Sequence, residues 1–328
     1  MPPRPAEGIA VHTTPQARYA VALLVTVELA LAAVSMGLAW WASPPDPSDR
    51  PAVEIRRAAR LPPDPVPAPG AATGSFTWSC GRNENGHVNS ANVVVTPGAP
   101  GPVHHQHDYV GNLHVDAAST VDDLTSGATS CVNGDRSTYY WPVLRTLDDR
   151  GGPHGEIRVP DEVTLTYLGS PAGPVVGAPT LLVGVIGDAF AATNGGARAS
   201  ATWTCAGSPD RRTTAYPICP DGERVVRVFD FPGCWDGRRE DSRGHRAHLL
   251  AADVTGRCPR GTFAVPRLRI TVGYDLPAGA DFVIDGFPDQ RHDPSTDHAF
   301  AVNAMPDRLM SEVVRCLNAG IRCGPEPA

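Results

Sequence analysis

A mainly β fold is what this sequence predicts for residues 75–328, as two packed antiparallel sheets in a sandwich or jelly-roll-like arrangement with long loops. Three observations carry that expectation. Short runs rich in valine, isoleucine, threonine and aromatics recur along the segment. Glycine and proline, 33 and 34 of 328 residues, punctuate the intervals between them. Only one stretch after residue 75 has a helical apolar period.

Taken in order, the chain opens with a short polar segment, residues 1–18, expected on the cytoplasmic side. Residues 19–42 form a mostly apolar run preceded by Arg4 and Arg18, with Glu28 its only charge. At about 1.5 Å per residue it is long enough to span a bilayer. Trp40 and Trp41 stand at its outer end, where aromatic residues favour the interface. A signal-peptidase cut after Ala42 would put Trp40 at the position that needs a small residue, so an uncleaved signal anchor is expected. Residues 43–74, with Pro44, Pro45, Pro62, Pro63, Pro65, Pro67 and Pro69, read as an extended stalk.

Orientation rests on the cysteines. Arg50, Arg56, Arg57 and Arg60 follow the span and weakly favour a cytoplasmic C-terminal side. Against that, all eight cysteines follow the span and none precedes it. An even set confined to one side reads as disulfides outside the cytoplasm. The expected pairing is sequential: Cys80–Cys131, Cys205–Cys219, Cys234–Cys258 and Cys316–Cys323. The expectation is therefore a single-pass cell-membrane protein with an extracytoplasmic domain at 75–328, released if the anchor is cleaved.

Within that domain, strands are expected at residues 93–95, 162–167, 180–186, 199–204, 224–230 and 267–272. A short C-terminal helix is expected over 307–318, where Leu309, Met310, Val313, Val314 and Leu317 share one face and Gly320 supplies the stop.

Composition excludes several activities. All 28 basic residues are arginine, which removes Schiff-base lysine chemistry and a P-loop lysine. A net charge of −7 disfavours nucleic acid as a partner. The sequence has no Gly-x-Ser-x-Gly elbow, His-Glu-x-x-His motif, dinucleotide glycine fingerprint or Cys-x-x-Cys pair.

The chemistry-bearing residues cluster instead as histidines and aspartates. His104-His105-Gln106-His107-Asp108 is the first group. His105 and His107 would share one face of a strand and form half of a site for a divalent transition metal. The second group lies within Phe231-Pro232-Gly233-Cys234-Trp235-Asp236-Gly237 and the residues after it, Asp241, His245 and His248. The third is His292, Asp293, Asp297 and His298. Three readings stay open. One is a metal held by His105 and His107 with the missing ligands drawn from Asp236, Asp241, His245, His248 or His298, His248 foremost. Another is metal-free acid–base catalysis by His105, His107, Asp236, Asp241, His245, His248 and His298. The last is that these side chains cap turns, which suits Asp236 before glycine. Trp235 is expected either against the Cys234 disulfide in the core or as a platform for a sugar ring.

These motifs resemble the DUF1996 family of secreted proteins from actinobacteria and fungi. Val103 to Gly111 is similar to its early His-x-His segment, which places the pair at His105 and His107. Ser137-Thr138-Tyr139-Tyr140-Trp141-Pro142 is similar to its Ser-x-Tyr-Trp-x-Pro segment. Phe231 to Gly237 with Arg238, Asp241, Ser242, His245 and His248 resembles its most specific motif. His298-Ala299-Phe300 stands where the family has His-x-Asp-Phe and lacks the aspartate. The resemblance spans roughly residues 75–324 and implies a shared His/Asp site but no reaction. Two functions are expected from the whole: an anchored enzyme cleaving cell-wall or environmental polysaccharide, or a non-catalytic carbohydrate-binding module that stacks sugars on Trp235, Tyr139, Tyr140 and Trp141.

Overall fold

A computed structural model of the chain describes residues 50–99, 105–147 and 155–324. The span expected at 19–42 and the segment before it lie outside these residues. Among the described residues no helix is long and apolar enough to cross a membrane.

Eleven strands make the two largest sheets. The first five are β1 (Ser75–Trp78), β2 (Val88–Asn89), β3 (His107–Gly111), β4 (Thr138–Pro142) and β5 (Glu162–Leu168). The others are β6 (Val183–Gly187), β7 (Thr202–Cys205), β8 (Val225–Asp230), β9 (Arg267–Tyr274), β10 (His298–Val302) and β11 (Arg322–Cys323). One sheet has five strands in the order β6-β10-β4-β3-β2 and is antiparallel throughout. The other has six, in the order β7-β8-β9-β5-β1-β11. Its edge strand β11 runs parallel to β1. Two two-stranded and two three-stranded sheets accompany them. The chain is thus mainly β, but with six sheets where two were expected and with parallel pairs at β11 and at Ala52–Glu54.

Alternation explains the packing. β5 reads Glu-Val-Thr-Leu-Thr-Tyr-Leu, and its Val163, Leu165 and Tyr167 are buried while the residues between them are half-exposed. They meet Val110, Tyr139, Trp141, Ile186 and Ala301 of the five-stranded sheet in one shared core. Trp141 stacks near Phe229 at 6.3 Å between ring centroids, and Trp78 approaches Tyr139 at 6.3 Å. Strands β5, β8 and β9 occupy the stretches expected of them, and β6 and β7 cover the later parts of theirs.

The C-terminal helix, α2 (Asp307–Asn318), keeps its expected bounds and buries Met310, Val313, Cys316 and Leu317 in that core. A second helix, α1 (Val121–Ser126), was not foreseen. It is six residues long and starts from a Thr120/Asp123 capping box. The strand expected at Val93–Val95 is a turn. The Asn92 Oδ1 accepts from the amides of Val94 and Val95, so the backbone closes on its own side chain instead of pairing.

The stalk expectation is corrected over its described part. Ala52–Glu54 pairs with Tyr216–Ile218, and Ala59–Arg60 pairs with Arg211–Arg212. Ile55 between them is fully buried beside Ala58 and Cys205. Val53 and Ile55 anchor this segment, which holds no proline between Pro51 and Pro62. The four disulfides pair sequentially: Cys80–Cys131, Cys205–Cys219, Cys234–Cys258 and Cys316–Cys323.

Candidate metal centre

Alternation along β3 places His107 and Tyr109 on one face of the five-stranded sheet, with Asp108 and Val110 on the other. On β10, His298 and Phe300 share the face of His107 and Tyr109. The register aligns Tyr109 with Tyr140 and Tyr140 with Phe300. These three rings form a ladder, Tyr109 on Tyr140 at 5.2 Å and Tyr140 on Phe300 at 4.8 Å. The next row carries His107 opposite Pro142. Proline has no long side chain to fill the space between β3 and β10. The imidazoles of His107 and His298 approach across it to 6.1 Å between centroids, and His107 meets Tyr140 edge-on at 5.3 Å.

His105 precedes β3 and closes the cluster. Its ring lies 4.6 Å from His107 and 4.9 Å from His298, and edge-on to Phe287 at 5.2 Å. Gln106, between the two histidines, is held on the opposite side. Its amide donates to Asp285, and Arg145 donates to its side-chain carbonyl and pairs with Asp285. That tether keeps the His105-Gln106-His107 segment extended.

One ligand atom from each of His105, His107 and His298 lies within 4.8 Å of the others, and all three residues are buried. His298 Nδ1 donates to the Thr296 carbonyl at 2.8 Å, which fixes its tautomer and leaves Nε2 with the lone pair. Burial pushes the His298 pKa down to about 4, against the Thr296 hydrogen bond and the Asp297 charge that favour protonation. Neutral imidazole is the ligand form. His105 Nε2 stands 3.1 Å from His298 Nε2. Metal–nitrogen bonds of about 2.0–2.1 Å separate two nitrogens by about 2.9 Å at right angles and about 3.3 Å at a tetrahedral angle. The observed spacing, which an N–H···N hydrogen bond also gives, falls between these, so this pair of nitrogens fits one divalent transition ion. The other such grouping among the described residues, Cys80, Cys131 and Asp135, has its sulfurs spent in a disulfide.

The support behind the cluster is Arg227 of β8. Its guanidinium is fully buried, pairs with both oxygens of Asp297, and donates to the Pro142 carbonyl at 2.7 Å and the Tyr274 hydroxyl at 3.2 Å. The rings of Trp203 and Phe229 lie over it at 5.5 and 5.2 Å. Burial opposes the charge, but Asp297 and Tyr274 outweigh it and the guanidinium stays ionised. Arg227 thus fixes the residue before His298 and the residue opposite His107. Gly187, opposite His298, has φ +79°, and a side chain there would strike the Asp297 carbonyl. Asp108, behind His107, is raised to about 6 by burial, with Asn83 and Arg227 working against that rise.

The second histidine group does not join this centre. His248 was expected as a ligand, yet both its nitrogens are committed. Nε2 donates to the Val183 carbonyl at 2.8 Å, and Nδ1 faces the Ser242 hydroxyl at 2.9 Å. Val183 lies four residues along β6 from Gly187, which pairs with His298. At roughly 3.3 Å per residue that is about 13 Å. Asp236 accepts from the amides of Arg238 and Arg239 and pairs with the Arg239 side chain. Its burial cost is outweighed by those bonds, which hold it at about 2. His245 Nδ1 faces the Asp241 carboxylate at 2.9 and 3.0 Å, near the surface. Trp235 is half-buried, packs with Leu182, Leu249 and Val265, and donates to the Arg239 carbonyl. Of the third group, His292 donates to the Ile284 carbonyl and Asp293 caps a 3-10 turn. Tyr139, Tyr140 and Trp141, expected as stacking surfaces, are buried at 1, 0 and 0% exposure.

Sequence reasoning missed Arg227 and the Asp285–Arg145 tether. A signal for Arg227 was present, since it shares the inward phase of β8 with Val225 and Phe229.

A family model described as a domain of unknown function, DUF1996, matches residues 92–301, more than half of the chain and inclusive of all three histidines. No curated protein and no solved structure matches the chain.

Proposed function

The chain belongs to the DUF1996 family, and from its own side chains we propose that it is an extracytoplasmic metalloprotein that acts on polysaccharide. His105, His107 and His298 hold one divalent transition ion and leave other coordination positions for water or substrate. The observation that carries this reading is the convergence of three buried imidazoles from β3, β10 and the segment before β3. Three neutral ligands leave the ion its full charge, which makes it a strong Lewis acid toward water or a sugar oxygen. Hydrolysis or elimination at a glycosidic linkage is the reaction class in view. Placement outside the cytoplasm is supported by four disulfides and no free cysteine among the described residues. The N-terminal span remains the proposed anchor, with the polysaccharide the partner and the membrane its support.

The alternative, a non-catalytic wall-binding module, draws on the half-buried Trp235 and on the separation of the second histidine group from the first. Its other stacking residues are buried.

Elemental analysis of the full chain, purified without a histidine tag from an oxidising compartment, tests the metal reading. Near-stoichiometric transition metal is expected. It should be lost in the His105→Ala/His107→Ala double variant and kept in His248→Ala. A folded, metal-free wild-type protein that also fails to bind added zinc, manganese, iron or copper would overturn it.

A further inference from the structure

A cavity of about 460 Å³ opens beside the free edge of β6, well apart in chemistry from the histidine cluster. Its wall is the motif segment Phe231-Pro232-Gly233-Cys234, with Val185, Val265 and the Cys234–Cys258 bridge adding apolar surface. That size lies within the roughly 300–1,000 Å³ of small-molecule sites. Four charged side chains line it: Arg246, Arg267, Asp230 and Asp253.

Their pairing is unequal. Asp230 binds Arg267 at 3.1 Å and Arg269 at 2.7 Å, so one carboxylate serves two guanidinium groups. Arg246 has no carboxylate within salt-bridge distance among the described residues. Its one hydrogen bond goes to the Gly187 carbonyl. Asp188 influences it only at longer range, and Arg198 repels it. Burial also disfavours its charge. The remaining acid on the cavity wall, Asp253, is exposed, and its Oδ1 is taken by Thr255 and the Arg257 amide. A half-buried guanidinium with most of its donors unspent is a poor structural element and a good anion receptor.

We propose that this cavity binds a carboxylate-bearing sugar, a hexuronate unit, with Arg246 gripping the carboxylate and the Phe231–Cys234 wall covering the carbon face of the ring. One unpaired guanidinium matches a carboxylate, a single charge on each sugar unit, better than a phosphate monoester, which puts about −1.5 to −2 on one group. The choice of a sugar rests on the polysaccharide reading above; the choice of a carboxylate rests on Arg246 alone. The site deepens that reading by naming uronate-containing polymers as the substrate class.

Calorimetric titration of the full chain with digalacturonate, a neutral disaccharide and glucose 6-phosphate tests it. Digalacturonate should bind at least about tenfold more tightly than either of the others. The Arg246→Gln variant keeps a donor for the Gly187 carbonyl but loses the charge. It should weaken digalacturonate by about tenfold or more, as expected for one charge-assisted hydrogen bond. Equal binding of the neutral sugar, tighter binding of the phosphate, or no effect of Arg246→Gln in a folded variant would each overturn the proposal. The three-ligand comparison on wild-type protein decides the matter even if the variant does not fold. Binding should persist in His105→Ala/His107→Ala, so loss of the metal reading and loss of this one are separable.

Discussion

The histidine cluster under β3 and β10 and the loop from Asp236 to His248 are made of the same residue types, yet they are chemically opposite. In the loop, carbonyls, hydroxyls and amides of the fold have taken up most of the polar atoms: His248 bridges Val183 and Ser242, and Asp236 holds the Arg238 and Arg239 amides. In the cluster, rings surround the imidazoles: Tyr140, Phe287 and Phe300 meet them edge-on, while His298 holds the Thr296 carbonyl through Nδ1 and turns Nε2 toward His105. The lesson is that the density of titratable residues marks a place where a site can be built. Whether their ring nitrogens converge on one point decides whether it is one.

The comparison can be broken most sharply at Arg227. Replacing it by alanine leaves Asp297 buried without its counter-charge, a loss of about 3–5 kcal/mol for pairs of this kind. Denaturant unfolding should show it, and zinc retention should fall as well because His298 follows Asp297. If Arg227→Ala unfolds at the wild-type midpoint, the support role given to it is wrong.

A smaller effect is expected from His248→Ala. The Val183 carbonyl and the Ser242 hydroxyl lose their partner in a buried place, which costs about 1–3 kcal/mol. Metal content should not change. A loss of metal without loss of stability would return His248 to the ligand set and erase the contrast.

The smallest effect concerns pH. Asp236 is held at about 2, below its unfolded value of about 3.9. A carboxylate with a depressed folded pKa contributes stability above its unfolded pKa, and that contribution is lost as pH falls from about 4 to about 2. Asp236→Asn should flatten this part of the stability profile and, above pH 5, lower stability evenly without changing its slope. A wild-type curve with no slope in that window would show that the turn does not depend on the ionised form.

Much of this was legible in the chain. The period of 3.6 over residues 307–318 marks α2 because its apolar face alone decides its burial. Val163, Leu165 and Tyr167 mark β5 through the period of 2. His105 and His107 are readable as a pair for the same reason. Their third partner is not singled out, since Asp236, Asp241, His245, His248 and His298 are all candidates by residue type. His298 is 191 residues from His107 and meets it only because β4 aligns both strands on one face. His248 misled because sequence shows an imidazole but not the Val183 carbonyl waiting for it. Residues 50–60 look like the start of a proline-rich stalk, and only the edge strands they pair with reveal them as part of the domain.

Arg227 belongs to the six-stranded sheet, while Pro142 and Asp297, which it grips, belong to the five-stranded sheet and its approach. The spacing of the imidazoles is therefore inherited from the gap between two layers. A load placed on that gap, such as a smaller ring at Trp141 or Phe229, would be transmitted through one rigid strut to the three imidazoles. The centre is in this sense a gauge of how well the layers are seated.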